Sequence, residues 1–85
     1  MKVAIILVNY KDYAERFLGG CAESLRQVSF AEGEFKIFIT DNVSTPDTRE
    51  AISRLCPEAE VVPTEGNGFG HGNNVAIKEA VSQGF

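Results

Sequence analysis

Three short segments of this sequence carry side chains or backbone suited to holding a polar small molecule. Asn9-Tyr10 places an amide beside an aromatic ring, and Asp41-Asn42 places a carboxylate beside an amide. The third segment, residues 65–74, has four glycines at alternate positions and three asparagines. Glycine lets a backbone approach a ligand closely, and carboxylates and amides bind hydroxyl and N–H groups. The chemistry that these residues favour is non-covalent binding of a nucleoside or a phosphate.

Each segment also has a purely structural interpretation. Asp41 begins an Asp-Asn-x-Ser-Thr-Pro run that suits a turn, so its carboxylate can serve a loop or cap instead of a ribose hydroxyl or a base N–H. The glycine-rich segment can be a tight connector with an Asn cap, and Tyr10 can cover the edge of the core instead of stacking on a base. On residue types alone, both interpretations stay open.

Two common nucleotide-binding motifs are missing from the sequence. A dinucleotide fingerprint needs glycines in the turn after the first strand, and this turn has none. In the later segment, Gly68-x-Gly70 is followed by Asn73 at the last position of the motif. No Walker-type Gly-Lys-Ser/Thr occurs either. The sequence therefore argues against a NAD-dependent dehydrogenase and a P-loop enzyme.

The elements that must position these segments alternate between strand and helix. Continuous apolar residues at 3–8 indicate a strand covered on both faces, and residues 35–40 and 60–62 are predicted to be two further strands. Apolar residues at helical spacing predict three helices between and after these strands. The helices are predicted to run from an N-cap at Asp12 to about residue 28, from a Ser44-Thr45-Pro46-Asp47 start to about residue 55, and from Asn73 to Gly84.

This order of elements predicts an α/β fold with a parallel three-stranded sheet, flanking helices and right-handed crossovers. In an open parallel sheet, ligands bind beyond the carboxyl ends of the strands. Each of the three polar segments follows a predicted strand. We therefore expect them to converge at the carboxyl end of the sheet.

Composition and cysteine usage narrow the classes of function. A net charge of −4 argues against a nucleic acid or an anionic membrane as partner. The apolar run at 3–8 is too short for a signal-peptide core or a membrane span, so we expect a cytoplasmic protein. Cys21 and Cys56 show no metal-binding spacing and are predicted to be free thiols, with Cys21 in the core. His71, the only histidine, makes a poor metal site without partners.

Four stretches of the chain resemble the start of family 2 glycosyltransferases, particularly the rhamnosyltransferase-like bacterial members. They are residues 5–10 (Ile-Ile-Leu-Val-Asn-Tyr), 21–25 (Cys-Ala-Glu-Ser-Leu), 40–45 (Thr-Asp-Asn-Val-Ser-Thr) and 66–74 (Gly-Asn-Gly-Phe-Gly-His-Gly-Asn-Asn). The resemblance implies a GT-A, Rossmann-like nucleotide-diphospho-sugar transferase fold. It also implies that residues 1–85 are the nucleotide-binding N-terminal part of a glycosyltransferase domain, truncated before the metal-binding motif.

The resemblance implies an activity and a binding site as well. Such enzymes transfer a sugar from a nucleotide-diphospho-sugar to a glycan or lipid-linked acceptor, in glycan or cell-surface polysaccharide synthesis. The segment after the first strand and the Asp after the second hold the base and ribose, and the Asn-Gly-Phe-Gly-type segment lies along the nucleotide. Carried over, the nucleotide-binding residues are Val8, Asn9, Tyr10, Asp41, Asn67, Gly68, Phe69, Gly70 and Asn73.

The family's catalytic parts have no counterpart in these residues. Its members carry an Asp-x-Asp-like motif for a divalent metal, Mg²⁺ or Mn²⁺, and a later carboxylate that acts as general base. We expect the metal in the full enzyme, with ligands outside this sequence. We expect no catalytic residue and no transferase activity in these 85 residues alone, in a protein of the cytoplasm or the inner face of the membrane.

The first strand has a further implication under this resemblance. In the family's fold it lies between the second and the fourth strand, so here its outer edge is expected to be unpaired and to promote self-association by strand pairing. The competing hypothesis is a non-enzymatic, flavodoxin-like module that binds a phosphate ligand or a protein partner.

Overall fold

The computed structural model describes residues 2–27, 34–66 and 68–85, and for Glu34 and Phe69 the backbone alone. Strands and helices alternate in the predicted order, which confirms the α/β fold class. None of the helices in these segments is both long and apolar enough to cross a membrane. The elements are β1 (Lys2–Tyr10), a π-helical turn (Ala14–Leu18) that continues as α1 (Gly19–Arg26), β2 (Glu34–Asn42), α2 (Pro46–Leu55), β3 (Glu60–Pro63) and α3 (Phe69–Ser82).

The three strands form one parallel sheet in the order β1-β2-β3. β1 pairs with β2 along its whole length, so that Asn9 lies next to Asp41 and Tyr10 next to Asn42. β3 is shorter, and its last residue, Pro63, lies next to Asp41. The strands therefore finish together at the carboxyl end of the sheet, while β1 and β3 form its two lateral edges.

Each face of the sheet packs against helices through its own hydrophobic cluster. The first helix and α2 cover one face, where Ile39 and Ile52 are almost completely buried. The other face packs against α3, where Phe38 contacts the small residues Ala76 and Ala80. Alanines on α3 let that helix approach the strands closely. Residues 3–8 of β1 contribute to both clusters, with Ile5 and Leu7 on one face and Ala4 and Ile6 on the other. They are only half-buried because β1 has a strand neighbour on one lateral side alone within the described sheet.

The first helix begins differently from the prediction. Asp12 was predicted to cap it with its side chain, but the residue before the π-helical turn is Tyr13, and no side-chain capping bond forms there. Asp12 contributes its carbonyl oxygen instead, which accepts from the Arg16 N–H at 3.3 Å. The regular part of the helix ends at Arg26, close to the predicted end.

The buried face of this helix also corrects the prediction. Ala14, Leu18 and Ala22 are buried, whereas Phe17, one of the apolar residues whose helical spacing predicted this helix, is 60% exposed. Cys21, predicted to fill the core, is exposed too. A π-helical turn contains more residues than an α-helical one, so the buried stripe passes through every fourth residue instead of alternating between third and fourth.

The start of α2 is confirmed in detail. Thr45 lies before the helix with an extended backbone, and its side chain accepts from the Thr48 N–H at 3.1 Å. In return, the Thr48 hydroxyl oxygen accepts from the Thr45 N–H at 2.9 Å, which completes a capping box. Pro46 occupies the first helical position, where its missing N–H costs nothing. Such caps stabilise a helix start by about 1 kcal/mol.

The start of α3 was predicted at Asn73 and lies four residues earlier, at Phe69. Gly68, with a φ of 95°, ends the preceding loop. More than half of the glycine-rich segment is therefore helical. Sequence propensity did not predict this because glycine disfavours helices by about 1 kcal/mol. Close packing explains the glycine at 72, since a Cβ there would lie 3.3 Å from Thr40 Cγ2.

Candidate functional site

A buried hydrogen bond joins the ends of β1 and β2. Asn9 is 5% exposed and Asp41 has no exposed surface, and Asn9 Nδ2 donates to Asp41 Oδ1 at 2.9 Å. Both side chains lie on the face that packs against the first helix and α2, since they share the alternation of Ile39. The structure therefore brings these two predicted site residues into direct contact.

Asp41 also holds the start of α2. Its Oδ2 accepts from Ser44 Oγ at 2.8 Å and from Thr48 Oγ1 at 2.6 Å. Three donors thus satisfy a fully buried carboxylate, as burial of a charge requires. The structural role considered for Asp41 is present, while contact between its carboxylate and a ligand stays a prediction.

The two hydroxyl donors to Asp41 around the start of α2 were not predicted from the sequence. The prediction assigned Ser44 to the start of the helix and no role to Thr48. The Thr48 hydroxyl lies seven residues from Asp41. Asp41 is on β2 and Thr48 on α2 with a turn between them, so neither the strand period nor the helix period predicts the contact. The Asp-x-x-Ser spacing was the available signal for Ser44, because short polar side chains commonly bond across three residues in turns.

The Asn9 amide is held in one orientation. Its Nδ2 donates to Asp41 and, more weakly, to the Lys11 carbonyl at 3.4 Å. Turning the amide over would place Oδ1 against the Asp41 carboxylate, which repels it. Oδ1 itself is buried, and no donor among the described residues reaches it. The Asn9 amide therefore has both of its donor bonds within the protein and one buried oxygen without a donor in the described part of the chain.

An apolar cavity of about 200 Å³ lies beside Asn9, between β1 and the first helix. Leu7, Leu18 and Ile39 contribute aliphatic walls, and Tyr13 and Phe17 contribute aromatic ones. Both aromatic side chains are largely exposed, so the cavity is bordered by solvent on the helix side. The cavity is therefore mostly apolar, with Asn9 as a polar residue at its border.

Tyr10 lies at the surface of the same end of the sheet. It is 40% exposed, and its ring meets that of Tyr13 edge to face with centroids 6.1 Å apart. Lys11 places its Nζ 5.1 Å from the Tyr10 ring centroid and adopts a left-handed φ of 55° that turns the chain away from β1. Ring surface of Tyr10 thus remains available for stacking, and its role in binding stays a prediction.

The glycine-rich segment reaches this end of the sheet from β3. Gly66 and Gly68 have φ values of 93° and 95°, which favour glycine, and a Cβ at Gly66 would lie 2.5 Å from Val43 Cγ2. Of the predicted site residues, Gly68 ends the loop, whereas Gly70 and Asn73 lie inside α3. Asn67 falls outside the described residues, and for Phe69 only the backbone, at the first position of α3, is described.

Val8 lies on the opposite face of the sheet from Asn9, toward α3. A Cβ at Gly72 would lie 3.5 Å from Val8 Cγ1, and Thr40 Oγ1 donates to the Gly72 carbonyl at 2.8 Å. This hydrogen bond, which no sequence motif predicted, ties the first turn of α3 to β2. The start of α3 is therefore fixed directly above the ends of the strands.

The titratable groups with the clearest causes of a pKa shift lie toward the amino end of the sheet, away from this site. Burial, with a smaller contribution from the Glu58 carboxylate, raises the pKa of the Cys56 thiol to about 11. Hydrogen bonds from Gln83 and then Lys36 lower the pKa of the Glu60 carboxyl. Lys36, Glu60 and Gln83 join β2, β3 and the end of α3, whereas Cys56 directly follows α2.

Comparison with known proteins identifies the chain at the level of a family. The model of the family described as Glycosyl transferase family 2 matches residues 3–84, almost the full length. No curated protein matches the sequence. The family match favours a glycosyltransferase over the flavodoxin-like binding module. It also agrees with the parallel α/β sheet.

Proposed function

Because the chain belongs to glycosyl transferase family 2, we propose that it binds the nucleotide of a nucleotide-diphospho-sugar donor at the carboxyl end of its sheet. The fold is of the GT-A, Rossmann-like type, and the family is one of glycosyltransferases. The proposed acceptor is a glycan or a lipid-linked sugar in polysaccharide synthesis. The proposed location is the cytoplasm or the inner face of the membrane.

One observation carries this proposal. A buried polar pair, Asn9 and Asp41, lies at the carboxyl ends of adjacent parallel strands beside an apolar cavity of about 200 Å³. Ligands of open parallel sheets bind at this place. The loop that ends at Gly68 and the start of α3 lie at the same end, and helix N-terminal amides are suited to phosphate.

We assign the residues different tasks within this proposal. Tyr10 is exposed and stacks on the base or the ribose, and the backbone at Gly68 and Gly70 lies along the phosphates. Asp41 has no exposed surface and three internal donors. It therefore orients Asn9 and anchors α2, and its contact with the base or the ribose stays a prediction.

The divalent metal that this family commonly uses finds no fitting site in the described segments. There, no three acidic, histidine or cysteine side chains gather as a metal-binding group. The buried carboxylate of Asp41 already accepts from three protein donors. We therefore assign no step to the metal within this chain.

Calorimetric titration tests the proposal. The chain is titrated with UDP, dTDP and GDP, and with FMN as the ligand of the competing hypothesis. We expect saturable binding of at least one nucleoside diphosphate and none of FMN. Tyr10→Ala should weaken that binding about fivefold through the loss of aromatic stacking.

The matched control is Val81→Ala on α3, a residue that is 65% exposed and far along that helix from its start. It should leave the affinity unchanged. Binding of FMN alone, or equal affinities for the chain and its Tyr10→Ala variant, would contradict the proposed site.

A further inference from the structure

Val43 adopts a backbone conformation that its side chain disfavours. It directly follows β2 and has a φ of 57°, in the left-handed region. A β-branched residue there is a rare exception, because its Cβ crowds the following carbonyl oxygen. Val43 is also 50% exposed, so burial of its side chain offsets little of this strain. Strained residues persist where the surrounding structure fixes them, and they cluster at functional sites.

Hydrogen bonds with one residue, Thr64, fix the backbone on both sides of Val43. The Thr64 N–H donates to the Asp41 carbonyl at 3.0 Å, and the Ser44 N–H donates to the Thr64 carbonyl, also at 3.0 Å. The Thr64 hydroxyl donates to Asn42 Oδ1 at 3.0 Å as well. The turn that contains Val43 is therefore tied at both of its ends to the segment that follows β3.

The Val43 side chain packs against Gly66 in that same segment. A Cβ at Gly66 would lie 2.5 Å from Val43 Cγ2 and 3.6 Å from Val43 Cβ, so the isopropyl group occupies the space that a larger residue at 66 would need. Gly66 has a φ of 93°, and Gly68, two residues later, ends the loop before α3. Val43, Thr64 and Gly66 together form a clasp, which joins the end of β2 to the loop that leads to α3.

We propose that Val43 is a positioning residue whose side chain holds the backbone at Gly66, and through it the backbone at Gly68, in the place where the phosphates of the donor nucleotide bind. This role rests on the nucleotide-binding function proposed above, and it is exerted through the loop instead of by contact with the nucleotide. The clasp also explains the strain. A glycine at 43 would adopt the left-handed turn freely, but it would leave Gly66 without the isopropyl group that packs on it.

Two variants separate the strain of Val43 from its contact with Gly66. Val43→Asn relieves strain, since asparagine tolerates this conformation, and keeps a side chain at the clasp, so it should raise the melting temperature by about 4 °C. Val43→Gly relieves the strain and removes the side chain. Its melting temperature should change by less than about 4 °C, because the freedom of glycine in the unfolded chain offsets the relief of strain.

Backbone ¹⁵N order parameters, measured without nucleotide, report the hold on the loop. Those of Gly66 and Gly68 should fall in Val43→Gly and stay at the wild-type level in Val43→Asn. Lys11→Gly is the matched control, because Lys11 is also exposed and has a similar φ of 55°, but it follows β1 instead of β2. It should leave the order parameters of both glycines unchanged.

Binding of UDP, dTDP and GDP is then compared with binding of the corresponding nucleosides. Val43→Gly should weaken diphosphate binding about fivefold and leave nucleoside binding unchanged, because the loop is proposed to meet the phosphates alone. Val43→Asn should keep both affinities. A purely structural contribution of Val43 would change the affinities for diphosphate and nucleoside alike, which would overturn the positioning role.

The outcomes distinguish this role from the proposed function. If no nucleoside diphosphate binds the wild-type chain, the proposed function fails and the placement of phosphates by Val43 fails with it, while the order parameters still decide whether Val43 holds the loop. Unchanged order parameters of Gly66 and Gly68 in Val43→Gly would overturn the positioning role. So would equal diphosphate affinities of the wild-type chain and Val43→Gly, and in that case the proposed function stands.

Discussion

At the scale of single residues, Asp41 forms more hydrogen bonds between secondary-structure elements than the sequence predicted. Its carboxylate joins Asn9 at the end of β1 to Ser44 and Thr48 around the start of α2. The sequence predicted that Asp41 and Asn9 lie together, because both follow apolar strands. It could not predict the bond from Thr48, because that contact depends on the angle at which α2 leaves the turn.

Replacing this carboxylate tests its structural role. Asp41→Ala should lower the free energy of unfolding by about 3 kcal/mol, because it removes charge-assisted hydrogen bonds and leaves buried donors unpaired. Asp47→Ala, an exposed acidic residue in the first turn of α2, is the control and should cost under about 1 kcal/mol. Urea denaturation measures both. Equal losses would show that burial of Asp41 contributes nothing beyond its charge near the helix start.

At the scale of elements, the predictions were most accurate where local chemistry decides the conformation. The Thr45 cap and Pro46 placed the start of α2 correctly, because both act within one turn of helix. The first helix was harder, since its π-helical turn at Ala14–Leu18 changes which side chains face the sheet. α3 begins earlier than predicted, and its Gly72 permits tight packing on β2, a tertiary gain that offsets the low helix propensity of glycine.

Two glycines of α3 allow that explanation to be tested. A Cβ at Gly70 would meet no atom within 4 Å, whereas one at Gly72 would lie 3.3 Å from Thr40 Cγ2. Gly70→Ala should therefore stabilise the protein by about 0.5–1 kcal/mol through helix propensity. Gly72→Ala should be about 1–3 kcal/mol less stable than Gly70→Ala because its methyl group crowds the sheet. Thermal unfolding compares them, and equal stabilisation by both would refute close packing as the reason for Gly72.

At the scale of the whole molecule, alternation of strands and helices was enough to predict the parallel sheet and its binding end. Right-handed crossovers leave few other arrangements for such an order. The strand order makes β1 a lateral edge, nine residues long and apolar over most of its length. The other edge, β3, has four residues and ends in a proline, which limits strand pairing there.

This asymmetry predicts how the 85-residue chain associates. Sedimentation velocity should show a shift from monomer to dimer or larger species as concentration rises. Hydrogen exchange should become slower in β1 with the same concentration dependence, while β3 serves as the internal control and stays unchanged. A monomer at all concentrations, with slow hydrogen exchange in β1 throughout, would rule out association through the edge of β1.

Nucleotide is proposed to bind where the three strands end. Backbone amide shifts of the labelled chain during titration with UDP or dTDP test it most directly. We expect saturable shifts concentrated at Asn9, Tyr10 and Gly68, with little change at Lys36, Glu60 and Gln83 toward the opposite end of the sheet. Saturable shifts centred on the latter three residues, with Asn9 and Tyr10 unmoved, would contradict it.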